Sequence, residues 1–268
     1  YETLMARTPD GKLVAHLAAE PPRLLDPGTW EIKLRPGVKF HNGEPFNADA
    51  VVFSVKRIID PKFNSEQISF FNTIKGAEKV DDLTVKIRTE GPDPILLSRL
   101  YWLKIVPPAH AVNPKFSETP VGTGPYKFLQ WKRGQSVVLG LNEGYWGAKP
   151  QVQKVTYRFV EEPGTRLAGL MAGEFDVITN LLPEFTKKVP KAIHILGLEH
   201  PIVILNANGG PTRDIRVRQA LNYAVDKQAL SEGLFDGYAK VAQGQLLSPS
   251  FFGFNPGVGP FPYDPNKA

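Results

Sequence analysis

Residues 34–51 read LRPGVKFHNGEPFNADAV, a stretch that combines a strand end, turns and the start of a helix. Pro36-Gly37 and Gly43 are turn residues, because proline presets φ and glycine tolerates positive φ. Asn47 precedes an apolar run with an acidic residue in its first turn, which is the pattern of a helix N-cap. The stretch therefore predicts a strand, a turn region and a helix in immediate succession.

The segments on either side extend this pattern. Apolar and polar residues alternate over 30–34, which predicts a strand with one buried face. After Asn47 the apolar positions recur at helical spacing up to Ile59, and Asp60-Pro61 predicts the helix end. Similar alternation predicts further strands at residues 83–87, 126–131, 136–141 and 155–159.

The last third of the chain predicts helices and one buried strand. Thr165 is the expected cap of a helix that ends at Gly173. Residues 202–205 are all apolar and mostly β-branched, which predicts a strand buried on both faces. Asp214 and Asp226 are each expected to cap a helix. Strands mixed with single helices indicate an α/β or α+β lobe.

Composition excludes several classes of protein. The chain has 268 residues and a net charge of +5, but its basic residues are interleaved with acidic ones and form no Lys/Arg block. Patterning of this kind argues against a nucleic-acid partner. No apolar run approaches the length of a membrane span. The absence of cysteine excludes disulfides, thiolate catalysis and Cys-ligated metals.

The sequence also lacks a catalytic or metal-binding pattern. It contains no Gly-x-Ser-x-Gly elbow and no His-Glu-x-x-His helix, and its five histidines are dispersed. Glu161 and Glu162 are adjacent at a predicted strand end, so their side chains are expected to point to opposite faces. We therefore predict a protein that is not an enzyme and holds no metal or cofactor, with the histidines as surface or hydrogen-bonded residues.

Several segments, in their order along the chain, resemble one protein family. They are LRPGVKFHNGEPFNADAV at 34–51, GTGPY at 122–126, NEGYWGAKP at 142–150, VRQALNYAVDK at 217–227 and YDP at 263–265. Together they resemble family 5 of the solute-binding proteins of bacterial ABC importers, which contains periplasmic dipeptide-, oligopeptide- and nickel-binding proteins.

This resemblance implies an α/β fold, a periplasmic-binding-protein type II lobe of mixed sheets with flanking helices. We expect an N-terminal lobe at 1–200, an interdomain crossing at 201–212 and the start of a second lobe at 213–268. Asp264-Pro265 opens a helix in many proteins, so we also expect the natural polypeptide to continue past Ala268.

The implied function is capture of a peptide or similar small solute in a cleft between two lobes, and its delivery to the membrane permease of an ABC transporter. The resemblance further implies a monomer that is periplasmic or lipid-anchored on the outer face of the cytoplasmic membrane. Two alternatives stay open. The protein binds a metal chelate such as nickel, or haem, with the same fold, or it is a solute sensor without a transport role.

The resemblance also implies which residues contact the ligand. An aromatic wall with one or two charges suits a peptide or amphipathic solute. Lys104 lies in an apolar run, where an ammonium requires an anion or a route to water. The alternatives are a core position for the phenylalanines and Trp102, and an outward-pointing Lys104. The expected ligand contacts are Gln67, Phe70, Phe71, Tyr101, Trp102, Lys104, Ile204 and Asn206, whereas Tyr145 and Trp146 are expected to pack within the lobe.

Overall fold

The helix predicted after Asn47 is present in the computed structural model as α1 (Ala48–Ile59). Oδ1 of Asn47 accepts a hydrogen bond from the backbone N–H of Ala50 at 3.2 Å, a cap that contributes about 1 kcal/mol. At the other end Asp60 adopts an extended conformation before Pro61. Both helix ends are therefore explained by local sequence.

The chain divides into two compact units, Tyr1–Phe159 and Val160–Ala268. The structure describes residues 1–195, 197, 199–242, 244–249, 251 and 253–268. The predicted crossing at 201–212 lies inside the second unit, so the division of this chain falls earlier than that segment. A lobe boundary at 201–212 stays a prediction about the whole protein.

The first unit is built on an antiparallel four-stranded sheet. Its strands are β3 (Arg23–Asp26), β4 (Thr29–Lys33), β5 (Ile74–Asp81) and β6 (Thr84–Thr89). Their order across the sheet is β3-β4-β6-β5. Before this sheet, β1 (Met5–Arg7) pairs with β2 (Leu13–Ala15). After it come the short helices α2 (Leu96–Leu100) and α3 (Pro108–Ala111).

The core of the first unit lies between this sheet and α1. Ile32 of β4 is paired with Val85 of β6, and both side chains are fully buried. Each such aliphatic side chain contributes roughly 1.5–3 kcal/mol when it leaves water. The apolar stripe of α1 completes the core. Other fully buried members are Leu4, Leu17, Val51, Val55, Phe71, Ile87, Leu96 and Leu100.

A second antiparallel sheet follows, with its strands in sequence order. It contains β7 (Tyr126–Lys132), β8 (Ser136–Leu141) and β9 (Lys154–Arg158). The register shifts between Phe128 and Gln130, where Leu129 lies against Gly140. A Cβ at Gly140 would come within 2.8 Å of Leu129 Cδ1, so a larger residue at this position would displace the Leu129 side chain. Strands are thus present at the three places where the sequence predicted them.

The second unit contains α4 (Pro163–Met171), α5 (Ile215–Ala224) and α6 (Lys227–Phe235). Asp214 and Asp226 cap α5 and α6 as predicted. The predicted cap of α4 was wrong, because Glu162 and not Thr165 accepts the hydrogen bonds of the first turn. Glu162 precedes Pro163, which suits the first helical position. No helix in the described ranges is long and apolar enough to cross a membrane.

The strand predicted at 202–205 is not formed. Ile202, Val203 and Ile204 are 53%, 87% and 84% exposed, and the segment has no regular secondary structure. β-branched side chains favour a strand only where a neighbouring strand supplies hydrogen bonds and packing. No strand of the described residues pairs with this segment, so its composition alone does not order it.

Candidate functional site

The segment between α2 and α3 alternates between the core and the surface. Leu103 and Ile105 are buried, whereas Trp102 and Lys104 are exposed. Lys104 also forms an antiparallel bridge with Thr3 near the start of the chain. The sequence left open whether Trp102 lies in the core and whether Lys104 points outward. In the structure both side chains lie at the surface.

The ring of Tyr101 joins these residues to the first strand. The rings of Tyr101 and Trp102 meet edge to face, with their centroids 5.2 Å apart. Cζ of Arg7 lies 5.5 Å from the centroid of Tyr101, and Nζ of Lys104 lies 5.7 Å from it. We call Arg7, Tyr101, Trp102 and Lys104 the Tyr101 surface. It combines exposed aromatic area with two cations.

Lys104 is a cation without an acceptor among the described residues. Across the residues the structure describes, its ammonium forms no ion pair or hydrogen bond with the protein. The surrounding chain removes part of its water, and this desolvation lowers the pKa of Lys104 from its ordinary value. An ammonium in this state gains from any anion that reaches it.

The expected contacts at 67–71 separate into exposed and buried residues. Gln67 and Phe70 are exposed, with Phe70 at 59%. Phe71 is fully buried in the core of the first unit. The structure thus gives Phe71 the core position that the sequence had left as an alternative, and its ring faces no open surface. Gln67 and Phe70 stay predictions as ligand contacts.

Arg99, which sequence reasoning missed, ties the 67–71 segment to the Tyr101 surface. It donates hydrogen bonds to Oδ1 of Asn72 at 3.2 Å and to Oγ1 of Thr73 at 2.5 Å. It also pairs with Asp93, which is 5% exposed, at 3.4 Å. The arginine in the apolar run LLSRLYW was the available signal. Tyr101 directly follows the last residue of α2. The contacts of Arg99 therefore help to fix the position of the Tyr101 and Trp102 rings.

Ile204 and Asn206 belong to the second unit. Ile204 is 84% exposed. Asn206 accepts a hydrogen bond at Oδ1 from the backbone N–H of Asn208 at 3.0 Å, and its carbonyl oxygen accepts one from Thr212 at 2.7 Å. These bonds form a local turn. Both residues are open to solvent in this unit, and their ligand contacts stay predictions.

Sequence reasoning also missed a set of hydrogen-bonded side chains around Glu2. Oε1 of Glu2 accepts hydrogen bonds from His16 and Tyr145, each at 2.9 Å. Oε2 accepts from Thr123 at 2.7 Å and from Trp146 at 3.0 Å. We call these five residues the Glu2 cluster. The packing role predicted for Tyr145 and Trp146 is present, and it includes these hydrogen bonds.

The Glu2 carboxylate is held in its charged form. Burial alone would raise its pKa, but the surrounding hydrogen bonds outweigh burial and lower the pKa to about 2. The backbone carbonyl of Glu2 accepts a hydrogen bond from the N–H of Ile105 at 3.1 Å. The Glu2 cluster therefore anchors the chain segment that pairs with Lys104.

The histidines near this cluster are hydrogen-bonded. His41 contacts Gly124 O through Nε2 at 2.9 Å, and its Nδ1 accepts from the N–H of Gly122 at 3.3 Å. This pattern matches a neutral ring, and burial lowers the pKa of His41. No cluster of three or more His, Cys, Asp or Glu side chains suited to a metal occurs in the described part of the chain.

The sequence matches one protein family over nearly its whole length. A model of the bacterial extracellular solute-binding proteins, family 5, middle region, matches residues 12–268. The glutathione-binding protein GsiB of Pectobacterium atrosepticum is 34% identical over 278 residues, which cover 100% of this chain and 54% of that protein. The nickel-binding periplasmic protein of Escherichia coli is 31% identical over 283 residues, with the same coverage.

A solved structure matches the fold as well. NikA from Brucella suis, in complex with Fe(III)-EDTA, superposes with a TM-score of 0.88 at 30% identity. The match covers 100% of this chain and 56% of that protein. The chain thus spans about half the length of the relatives it matches. The predicted family, the type II periplasmic-binding fold and the assignment to binding proteins instead of enzymes are confirmed.

Proposed function

We propose that this chain, which belongs to family 5 of the bacterial extracellular solute-binding proteins, supplies one wall of a ligand cleft in an importer's binding protein. The whole protein captures a peptide or similar small solute between two lobes and delivers it to a membrane permease. It acts as a monomer outside the cytoplasm, either free in the periplasm or lipid-anchored. Closure of the two lobes is favoured because the ligand then contacts both.

The observation that carries this proposal is the free ammonium of Lys104 on the Tyr101 surface. Lys104 has no acceptor among the described residues and lies beside the partly buried ring of Tyr101, which packs against the exposed ring of Trp102. Binding sites for small solutes combine apolar walls with a few placed polar groups. The Tyr101 surface has this composition, and its charge favours a ligand with a carboxylate.

The relatives support a carboxylate-bearing ligand. Glutathione, which one relative is named for, carries carboxylates, and so does the EDTA bound to NikA from Brucella suis. A peptide and an anionic metal chelate therefore share the group that Lys104 would recognise. Gln67, Phe70, Ile204 and Asn206 remain further candidates for ligand contacts in the whole protein.

Substitution of Lys104 tests this proposal. In the full-length protein, Lys104→Met keeps the length of the side chain and removes its charge. We expect the affinity for an anionic peptide or chelate, measured by isothermal calorimetry, to fall about tenfold, which corresponds to about 1.4 kcal/mol. The affinity for the same ligand with its carboxylate amidated should change by less than about twofold.

Lys154→Met is the matched control, because Lys154 is exposed on β9. It should leave both affinities unchanged. If Lys104→Met weakens the anionic ligand no more than Lys154→Met does, Lys104 does not face the cleft.

A metal chelate or haem is the second candidate for the ligand. It is favoured by the nickel-binding relative and by the chelate bound to NikA. A native mass spectrum of the full-length protein, purified without added ligand, separates the candidates. Peptide masses support peptide capture, whereas a metal isotope pattern or the mass of haem supports the second candidate.

A further inference from the structure

Arg57, in the last turn of α1, has its guanidinium group over two aromatic rings. Its Cζ lies 3.9 Å from the centroid of Phe63 and 5.3 Å from that of Phe116. Phe63 lies in the 3-10 turn that follows α1, and Phe116 lies between α3 and β7. Two separate segments therefore place aromatic rings near this guanidinium.

Arg57 differs from other stacked arginines in having no acceptor. Arg35 lies over an indole ring but donates from Nε to the carbonyl of His16 at 3.1 Å. Arg133 is also stacked and pairs with Glu118. In the described ranges, by contrast, the guanidinium of Arg57 makes no hydrogen bond or ion pair. Its N–H donors are available.

The surroundings of Arg57 leave this donor edge open. Asp60, the carboxylate nearest along the chain, instead accepts a hydrogen bond from the backbone N–H of Lys62 at 2.9 Å. Phe63 is 42% exposed and Tyr1 is 48% exposed, so solvent reaches the site. Desolvation by the neighbouring side chains lowers the pKa of Arg57. The group is thus partly dehydrated but accessible.

We propose that Arg57, Phe63 and Phe116 form a binding site for a carboxylate group. A guanidinium is planar, and its parallel N–H groups match the two oxygens of a carboxylate. The neighbouring rings restrict the side chain before binding, which reduces the entropy lost on binding.

This site uses none of the residues of the Tyr101 surface and does not depend on the proposed function. Its failure would therefore leave the cleft proposal intact. A partly buried arginine flanked by aromatic rings is also the composition of an interface hot spot. The carboxylate therefore comes either from an acidic side chain or from a free carboxyl terminus.

A titration followed by NMR tests the site in the full chain. Sodium acetate replaces sodium chloride at constant ionic strength while the Nε–Hε signal of Arg57 is recorded. We expect a saturable shift with half-saturation below about 100 mM. The Nε–Hε signal of Arg35 is the internal control, because it is stacked but already donates to His16, and it should not saturate.

The outcomes separate a site from general screening. If Arg57 and Arg35 shift alike, or if the Arg57 shift does not saturate, no carboxylate site exists. If phosphate binds tenfold or more tightly than acetate, the carboxylate assignment is wrong. In Arg57→Lys, acetate-induced shifts of the ring protons of Phe63 and Phe116 should fall at least fivefold, and unchanged shifts would contradict the proposal. Should this variant not fold, the wild-type titration decides alone.

Two peptides distinguish the source of the carboxylate. One is acetylated and amidated with a central glutamate, and the other has only alanines and a free carboxyl terminus. Stronger binding of the first peptide assigns the site to acidic side chains, and stronger binding of the second assigns it to chain ends. Binding of neither peptide, at concentrations where acetate saturates, overturns a role in recognising protein carboxylates.

Discussion

Two charged residues on neighbouring stretches of the first unit differ in their hydrogen bonding. Glu2 is buried and its carboxylate accepts four side-chain hydrogen bonds. Lys104, which adjoins Ile105 and pairs with Thr3, is exposed and has no acceptor among the described residues. The charge of Glu2 is hydrogen-bonded within the protein, whereas the charge of Lys104 has no partner among the described residues.

The difference separates a structural charge from a binding charge. A buried carboxylate with complete hydrogen bonding stabilises the fold and loses that stabilisation if any partner is removed. A cation held on the surface without a partner contributes little to folding, and its interaction energy is available to a ligand. The comparison therefore predicts large stability effects at Glu2 and small ones at Lys104.

The largest expected effect is that of Glu2→Gln. The amide keeps the shape of the side chain but removes the charge and turns an NH2 group towards two of the donors. We expect the free energy of unfolding, measured by urea denaturation, to fall by about 3 kcal/mol. Glu20→Gln, an exposed control, should change it by less than about 0.5 kcal/mol. A loss below about 1 kcal/mol at Glu2 would contradict a structural role for the charge.

Acid should produce a smaller effect at the same residue. The folded pKa of Glu2 is about 2, below its ordinary value of 4.5. Its stabilisation is therefore complete above pH 4.5 and is lost as the pH falls towards 2. Across that range we expect the stability difference between wild type and Glu2→Gln to shrink by about 2 kcal/mol. A difference that is constant with pH would show that Glu2 does not titrate in this way.

The smallest expected effect is that of Lys104→Met on stability. Removing the charge relieves its partial desolvation but also loses the contact with the Tyr101 ring. These changes oppose each other, so the free energy of unfolding should change by less than about 0.5 kcal/mol. Urea denaturation of this variant beside Glu2→Gln measures the contrast directly. A loss of unfolding free energy close to that of Glu2→Gln would show that Lys104 is a structural residue and would contradict the proposed difference between the two charges.

The regular elements with strong local signals could be predicted. The cap at Asn47, the caps at Asp214 and Asp226 and the strands β7 and β8 were all present as expected. β5 was not predicted, because its sequence IKGAEKVD has little apolar alternation. Its place as an edge strand is set by pairing with β6 and packing against α1.

The candidate site was predicted only in part. An apolar run ending in Pro107 could indicate Lys104 as unusual, and the structure leaves it exposed without an acceptor among the described residues. Phe70 and Phe71 could not be told apart, since adjacent aromatic residues carry no signal of which one faces the core. Arg99 was missed because its partners at 72, 73 and 93 are brought near only by folding.

The sequence by itself determined the family, the caps of α1, α5 and α6 and most strands, because these depend on residues within a few positions of each other. Only the tertiary structure decided which charges are satisfied. The donors to Glu2 come from positions 16, 123, 145 and 146, and the rings around Arg57 come from 63 and 116. Hydrogen bonds and ring contacts act over a few ångströms in space, and separation along the chain does not reveal which groups reach that distance.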